Sequence, residues 1–223
     1  QSVPSLSTEQ RLDFSARNVV GGSNERLLYG IDLARGFVRG DAGGNYSVNA
    51  LAQAAAYVQQ HVDTVWGSFY YGMRGERDGS LGGEFSPSGG FVVRLSNEAA
   101  IKGNLATAFR APNASELYFP GYGYAQLRPE RAKVGDLSIT DSHFLGGVTL
   151  GWFTNRTNDL IVPVLLNQAT FTYGPRNIDH AFIQGFTLEV RTPSFHRFTT
   201  SLNLTDLYRC LLYTSPSPRD RQK

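Results

Sequence analysis

The chain has 223 residues, with a formal net charge of +2, 24 glycines, 12% aromatic residues and a single cysteine. A hydrophobic share of 41% with 18% charged residues excludes a disordered polyelectrolyte, and the near-balanced charge excludes a nucleic-acid protein built on a basic stripe. One cysteine excludes an internal disulfide framework or a multi-cysteine metal site, and no run of about 18 apolar residues reads as a membrane helix.

The dominant period along the chain is two, the mark of strands with distinct faces. In residues 11–17, Leu12, Phe14 and Ala16 alternate with Arg11, Asp13, Ser15 and Arg17. In 26–34, Leu27, Tyr29, Ile31 and Leu33 oppose Arg26, Gly30, Asp32 and Ala34. The alanine-rich stretch 52–61 has helix propensity, but its spacing between two strands predicts a strand. Further along, Phe69, Tyr71 and Met73 oppose Gly72 and Arg74, then Phe91, Val93 and Leu95 oppose Gly90 and Arg94. Ile101, Leu105 and Phe109 oppose Lys102, Asn104 and Arg110, and Leu137 and Ile139 oppose Asp136 and Ser138. Val148, Leu150 and Trp152 oppose Thr149 and Gly151. Phe186, Leu188 and Val190 oppose Thr187, Glu189 and Arg191, and Leu202 and Leu204 oppose Ser201 and Asn203. The pattern predicts about ten antiparallel strands of roughly 9–12 residues, the length at which a tilted strand crosses a bilayer. Strands of soluble proteins are mostly nearer about 5–6 residues.

Connection lengths alternate. Short ones are expected at 18–24, 63–65, 96–98, 140–143 and at Pro193 and Ser194; longer ones at 36–47, 78–84, 111–131 and 157–176. Outer-membrane barrels have this asymmetry, with short turns at the periplasmic rim and long loops outside. Apolar faces would then meet lipid, and faces rich in Gly, Asp, Arg and Thr a wet lumen. Tyr29, Tyr71, Phe109 and Trp152 suit interfacial aromatic girdles, with ordinary packing in a soluble core the lesser alternative.

The chain starts without a signal segment or an initiator methionine, and it reads as a piece of a longer protein. Residues 210–223, CLLYTSPSPRDRQK, look like the in-frame translation of a transposon-type sequencing adapter. A natural Pro/Ser-rich linker is the alternative. The expected division is therefore 1–209, a partial barrel, and 210–223, a non-native tail. Without the tail, acidic and basic residues are equal in number and no cysteine remains.

Four segments carry a family resemblance: ATAFRAPNASELYFP at 106–120, LRPERAK at 127–133, NRTNDLIVP at 155–163 and NIDHAFIQGFTLEV at 177–190. In this order they resemble the C-terminal part of the barrel of TonB-dependent outer-membrane receptors. GEFSPSGGFVVRLSNEAAIKGNLA at 83–106 and AYVQQHVDTVWGSFYYGMRGERDG at 56–79 look like the hairpins before it. The resemblance covers about residues 52–209 clearly and the first fifty by pattern. It implies an all-β, antiparallel up-and-down transmembrane barrel, here partial, with a plug domain and further strands lying outside this chain. Pro112 is expected to stop strand pairing after Phe109 and Arg110, and Pro129 to precede the next strand. Gly185 is expected on the lumen face, leaving room for whatever fills the barrel.

The function implied is energy-coupled uptake across the bacterial outer membrane of a scarce ligand: ferric siderophore first, then haem, cobalamin or oligosaccharide. Implied partners are outer-membrane lipid, a small-molecule ligand and the TonB complex acting through the plug, with no nucleic acid and no cofactor. The long loop after Arg110 offers Glu116, Tyr118, Phe119, Tyr122, Tyr124 and Arg128. Aromatics supply stacking area and arginine bidentate contacts to anions, so Arg110, Glu116, Tyr118, Tyr122, Tyr124 and Arg128 are candidate ligand-binding residues. The competing expectation is a loop packed on itself. His61, His143, His180 and His196 show no zinc-site spacing, and no GxSxG elbow occurs, so no metal or catalytic residues are expected. The Asn-x-Ser/Thr sequons at Asn45, Asn113, Asn155 and Asn203 read as chance. A passive porin or a plugless barrel enzyme is the alternative function.

Overall fold

A computed structural model describes residues 7–40, 46–79, 82–193 and 198–213. Asn45, Ser194 and His196, parts of the expected connections 36–47 and 78–84, and tail residues 214–223 lie outside the described residues. Among the described residues there are ten strands: β1 Ser7–Gly21, β2 Glu25–Gly40, β3 Tyr46–Thr64, β4 Gly67–Asp78, β5 Gly82–Arg94, β6 Ala99–Arg110, β7 Glu130–Asp141, β8 Val148–Asn167, β9 Thr172–Arg191 and β10 Ser201–Tyr213. Each pairs antiparallel with the strand before and after it, in one ten-stranded sheet that does not close. A single short helix, α1 Ala114–Tyr118, stands between β6 and β7.

The strands run longer than the sequence implies, from 12 to 20 residues. The expected loop 157–176 is mostly strand. β8 continues to Asn167 and β9 starts at Thr172, leaving only residues 168–171 as a turn. Part of the expected connection 36–47 is strand as well, since β2 reaches Gly40. The connection 192–200 is longer than the tight turn expected at Pro193. The alternation of connection lengths therefore survives mainly at one place, the long loop 111–129. Along β8 and β9 it is replaced by strand extension. The stretch 52–61 is strand, inside β3. β10 stays paired with β9 past Arg209, through Leu212 opposite Ala181.

The sheet is curled. From Leu28 to the end of β2 and from Ser68 to the end of β4, exposed residues alternate with half-buried or buried ones, so one face is concave and sheltered and the other open. The sheltered face carries polar groups that bond across strands. The Arg74 guanidinium donates to Asp32 at 2.6 Å and to Glu76 at 3.0 Å, and Gln53 donates to buried Asp78 at 2.6 Å. Tyr70 donates to Asn104, which donates to Asp136 at 3.2 Å. These side chains lie on neighbouring strands, the spacing at which cross-strand pairs interact.

The open face is apolar. Leu12, Tyr71, Leu105, Leu150 and Phe186 are each more than half exposed there. Register brings Phe69, Phe91, Trp152 and Phe186 into one row near the short-turn end, through Gly103 and Leu137. Tyr208 stacks on Phe186 with ring centroids 5.3 Å apart and accepts a hydrogen bond from Trp152 Nε1. Of the four aromatics expected at strand ends, Tyr29, Tyr71 and Trp152 stand near the short-turn end and Phe109 at the long-loop end.

Glycines on the sheltered face hold aromatic rings rather than leaving space. A Cβ at Gly90 would lie 2.6 Å from the Tyr70 ring, and one at Gly185 would lie 2.7 Å from the Phe153 ring. The room expected at Gly185 is thus filled by Phe153, its cross-strand partner.

A sheet with a wide apolar open face and two unpaired edge strands cannot be stable in water. The chain expressed alone is expected to require detergent. Sedimentation in buffer checks this, and a soluble monomer with a cooperative melt would contradict the architecture.

Candidate ligand-binding site

Loop 111–129 is a folded unit. Its closure begins where β6 ends and β7 starts, at two residues directly opposite each other, Arg110 and Glu130. The Arg110 guanidinium donates to both oxygens of Glu130 at 2.7 and 2.8 Å, and to Glu116 of α1 at 3.1 Å. Glu130 also accepts from the backbone N–H of Ile161 at 2.8 Å, tying the clasp to β8. Two carboxylates share one planar cation, a geometry arginine supports and lysine does not.

The helix follows from local chemistry. Pro112 ends β6 pairing and is buried. Asn113 then caps α1: its side chain accepts from the Glu116 N–H at 2.8 Å, and the Glu116 carboxylate accepts from the Asn113 N–H at 2.8 Å. This reciprocal pair is a capping box, closed here by Asn in place of Ser or Thr. After α1 the chain turns through Gly121, whose φ of +73° suits glycine.

A small apolar core lies beneath. Leu117 of α1, Leu127 of the loop and Ile161 of β8 are buried together, with Tyr124 packed against them. The Arg176 guanidinium sits 4.1 Å above the Tyr124 ring, and the Tyr124 hydroxyl donates to Gln126 at 2.8 Å. The extensions of β8 and β9 are the platform on which this core rests.

The loop's exit is clamped by Asn177 of β9. Its side-chain oxygen accepts from the Arg128 N–H at 2.8 Å, and its amide donates to the carbonyls of Arg128 at 2.8 Å and Asp159 at 2.6 Å. The Arg128 side chain pairs with Asp159 at 2.6 Å. Asp159 has a φ of +55°, a left-handed bend inside β8 that the pairing with β9 spans without a change of register, from Asn158 opposite His180 to Leu160 opposite Ile178. Beside it, Arg131 is bonded to Glu84 of β5.

The six candidate residues thus divide. Arg110 and Glu116 form the clasp, and Tyr124 belongs to the core. Tyr118 is 40% exposed, the Arg128 side chain is 64% exposed, and Tyr122 is half-buried at the surface. These three present aromatic and cationic groups outward from one folded loop. Sequence reasoning missed Glu130, Asp159, Arg176 and Asn177. Asn177 opens the segment NIDHAFIQG, but nothing local marks its amide as a clamp across 49 positions. Among the described residues no three His, Cys, Asp or Glu side chains gather in a metal-binding cluster.

Replacing Arg110 with Ala is expected to leave Glu116 and Glu130 facing each other, costing about 1–2 kcal/mol at this partly exposed position. Lysine should recover only part of that. Asn177→Asp, close in shape, is expected to harm more than Asn177→Ala, because a carboxylate would face two carbonyls. Hydrogen exchange of residues 111–129 in the complete receptor reads both effects. Unchanged protection in Arg110→Ala would show that the clasp does not hold the loop.

Comparison with known proteins agrees with this architecture. The model of the TonB dependent receptor-like β-barrel matches residues 4–220. A vitamin B12 transporter, BtuB of Vibrio vulnificus (strain YJ016), is 27% identical over 187 residues, covering 79% of this chain and 30% of that protein. The siderophore receptor PirA from Pseudomonas aeruginosa superposes with a TM-score of 0.73 at 19% identity, covering 91% of this chain and 40% of that one. A mutant of the ferric enterobactin receptor PfeA from the same organism gives 0.76 at 18% identity, covering 91% and 36%. The chain thus spans about a third of the length of the relatives it matches. The ten-stranded curled sheet, its outward apolar face and the match over nearly the whole chain together make it a member of the TonB-dependent receptor β-barrel family.

Proposed function

We propose that this chain is part of the barrel wall and ligand mouth of an outer-membrane receptor that imports a scarce, bulky ligand, with ferric siderophore the leading class. The observation that carries the reading is loop 111–129, clasped by Arg110 and clamped by Asn177, which holds Tyr118, Tyr122 and Arg128 on a rigid base. Rigid presentation lowers the ordering cost of binding. The aromatic rings suit the flat faces of an iron chelate, and Arg128 suits its negative charge.

In this reading the long-loop end faces outside and the short turns face the periplasm. The apolar open face meets lipid and the polar concave face lines the lumen. Energy coupling through the TonB complex acts on parts of the receptor other than these ten strands. The wall is a scaffold with a binding surface and not a catalyst. Residues 1–209 are the receptor's own, and those from 210 on are adapter-derived; the nucleotide sequence tests that boundary.

The similarity to a vitamin B12 transporter favours cobalamin as the second reading. Tryptophan fluorescence of the complete receptor, titrated with ferric siderophores and with cyanocobalamin, separates the two. A ferric chelate is expected to bind, and Tyr118→Ala or Arg128→Ala to weaken it about tenfold, roughly 1.4 kcal/mol. Binding of cyanocobalamin and of no iron chelate would replace the leading class with the second.

A further inference from the structure

The arginines at loop 111–129 are not alike. Arg110 is engaged by Glu116 and Glu130, Arg128 by Asp159, and Arg131 by Glu84. Arg176 of β9 has no carboxylate partner among the described residues. Its Nη1 donates to the carbonyl of Pro175 at 2.7 Å, and its Cζ lies 4.1 Å from the centre of the Tyr124 ring. A ring face attracts a cation but does not neutralise it. Arg176 is half-buried, so it keeps its full charge where water screens it only in part.

The guanidinium is held from two sides without any charge pairing. Pro175 is fully buried, its ring fixes the backbone just before Arg176, and its carbonyl takes Nη1. Tyr124 is seated on Leu117, Leu127 and Ile161, and its hydroxyl is turned to Gln126. What remains is the Nε–Nη2 edge, which has no hydrogen-bond partner among the described residues. That edge carries two parallel N–H groups, the geometry that meets two oxygens of one anionic group. Tyr122 borders the same stretch of β9: its carbonyl oxygen is 3.0 Å from where a Cβ at Gly174 would sit, two residues from Arg176. The unpartnered edge thus adjoins one of the tyrosines that the loop presents.

We propose that Arg176 sets the charge preference of the mouth, selecting iron chelates that present paired anionic oxygens, catecholate or carboxylate, over neutral chelates. The Nε and Nη2 hydrogens meet two such oxygens side by side, a contact that lysine cannot reproduce. The Tyr124 ring and the Pro175 carbonyl hold the guanidinium in place beforehand, which lowers the ordering cost of binding. Arg128 adds less to this preference, because Asp159 already offsets its charge. The inference rests on the reading of loop 111–129 as a ligand mouth and adds the charge of what enters it.

The test uses the complete receptor carrying this segment, in detergent. Isothermal titration compares a trianionic ferric tris-catecholate with a neutral ferric tris-hydroxamate. The wild type is expected to bind the trianionic chelate at least about tenfold more tightly, with added salt narrowing the gap. Arg176→Met keeps an unbranched apolar stem over the Tyr124 ring and removes the charge. It should lose about tenfold in affinity for the trianionic chelate and keep its affinity for the neutral one, and Arg176→Lys should recover only part of the loss. Hydrogen exchange of residues 111–129 in Arg176→Met should stay as in the wild type. Equal wild-type affinity for the two chelates overturns the proposal even if the variant fails to fold. Undiminished binding of the trianionic chelate by Arg176→Met overturns it too. Equal loss of both chelates together with faster exchange in the loop reassigns Arg176 to a structural role. Failure of the wild type to bind either chelate overturns the iron-chelate reading itself, a result seen before any variant is made.

Discussion

Everything in this wall depends on the unbroken backbone ladder. In a hydrocarbon environment an unpaired N–H or C=O costs several kcal/mol, so a chain that crosses by strands must pair each of them sideways. Nine successive antiparallel pairings meet that demand from β1 to β10. Once register is fixed, alternation decides the rest. One residue of slip would turn Phe69, Phe91, Trp152 and Phe186 inward and Asp32, Arg74 and Asp136 onto the open apolar face. The row of rings and the inward network are two consequences of the same register.

The loop region shows how a strand wall acquires an ordered excursion at its rim. Most of the connections between the described strands are short. The exception, 111–129, is stabilised by groups from four elements: Arg110 at the end of β6, Glu130 at the start of β7, Ile161 in β8 and Asn177 in β9. A 19-residue excursion would otherwise be mobile. Here its core is borrowed from β8 and β9, which rise past their other neighbours. The extra strand length and the loop's order are one construction.

Much of this was legible in the sequence. Period two gave the strands and their faces, and Pro112 and Pro129 marked the limits of the long loop. Gly185 fell on the expected face, but its partner Phe153 sits 32 positions away and could not be seen from either residue alone. The extension of β8 and β9 was hidden for a physical reason. Asn158, Asp159, Pro163 and Pro175 read as loop residues, yet Asp159 is accommodated by a left-handed bend and Pro163 faces Pro175 directly. Proline opposite proline suits a non-hydrogen-bonded pair, where neither missing N–H is needed by the partner strand. The ligand candidates fared unevenly for a related reason. Composition indicates that a loop holds aromatics and arginines, but only packing shows that Arg110 and Tyr124 are engaged within the loop.

That proline pair has a further effect. Where β8 stands clear of β7, its outer edge has no strand partner beyond the Glu130 cap on the Ile161 N–H, and an unpaired edge can template pairing with a strand of another molecule. Two copies side by side would present such edges to one another at the same height. In a non-hydrogen-bonded pair the N–H groups point away from the partner strand, so Pro163, exposed on β8, deletes a donor from that edge. On β9, Pro175 is fully buried and offers no donor either. The hairpin can therefore stand tall without becoming a seam along which neighbouring barrels zip together.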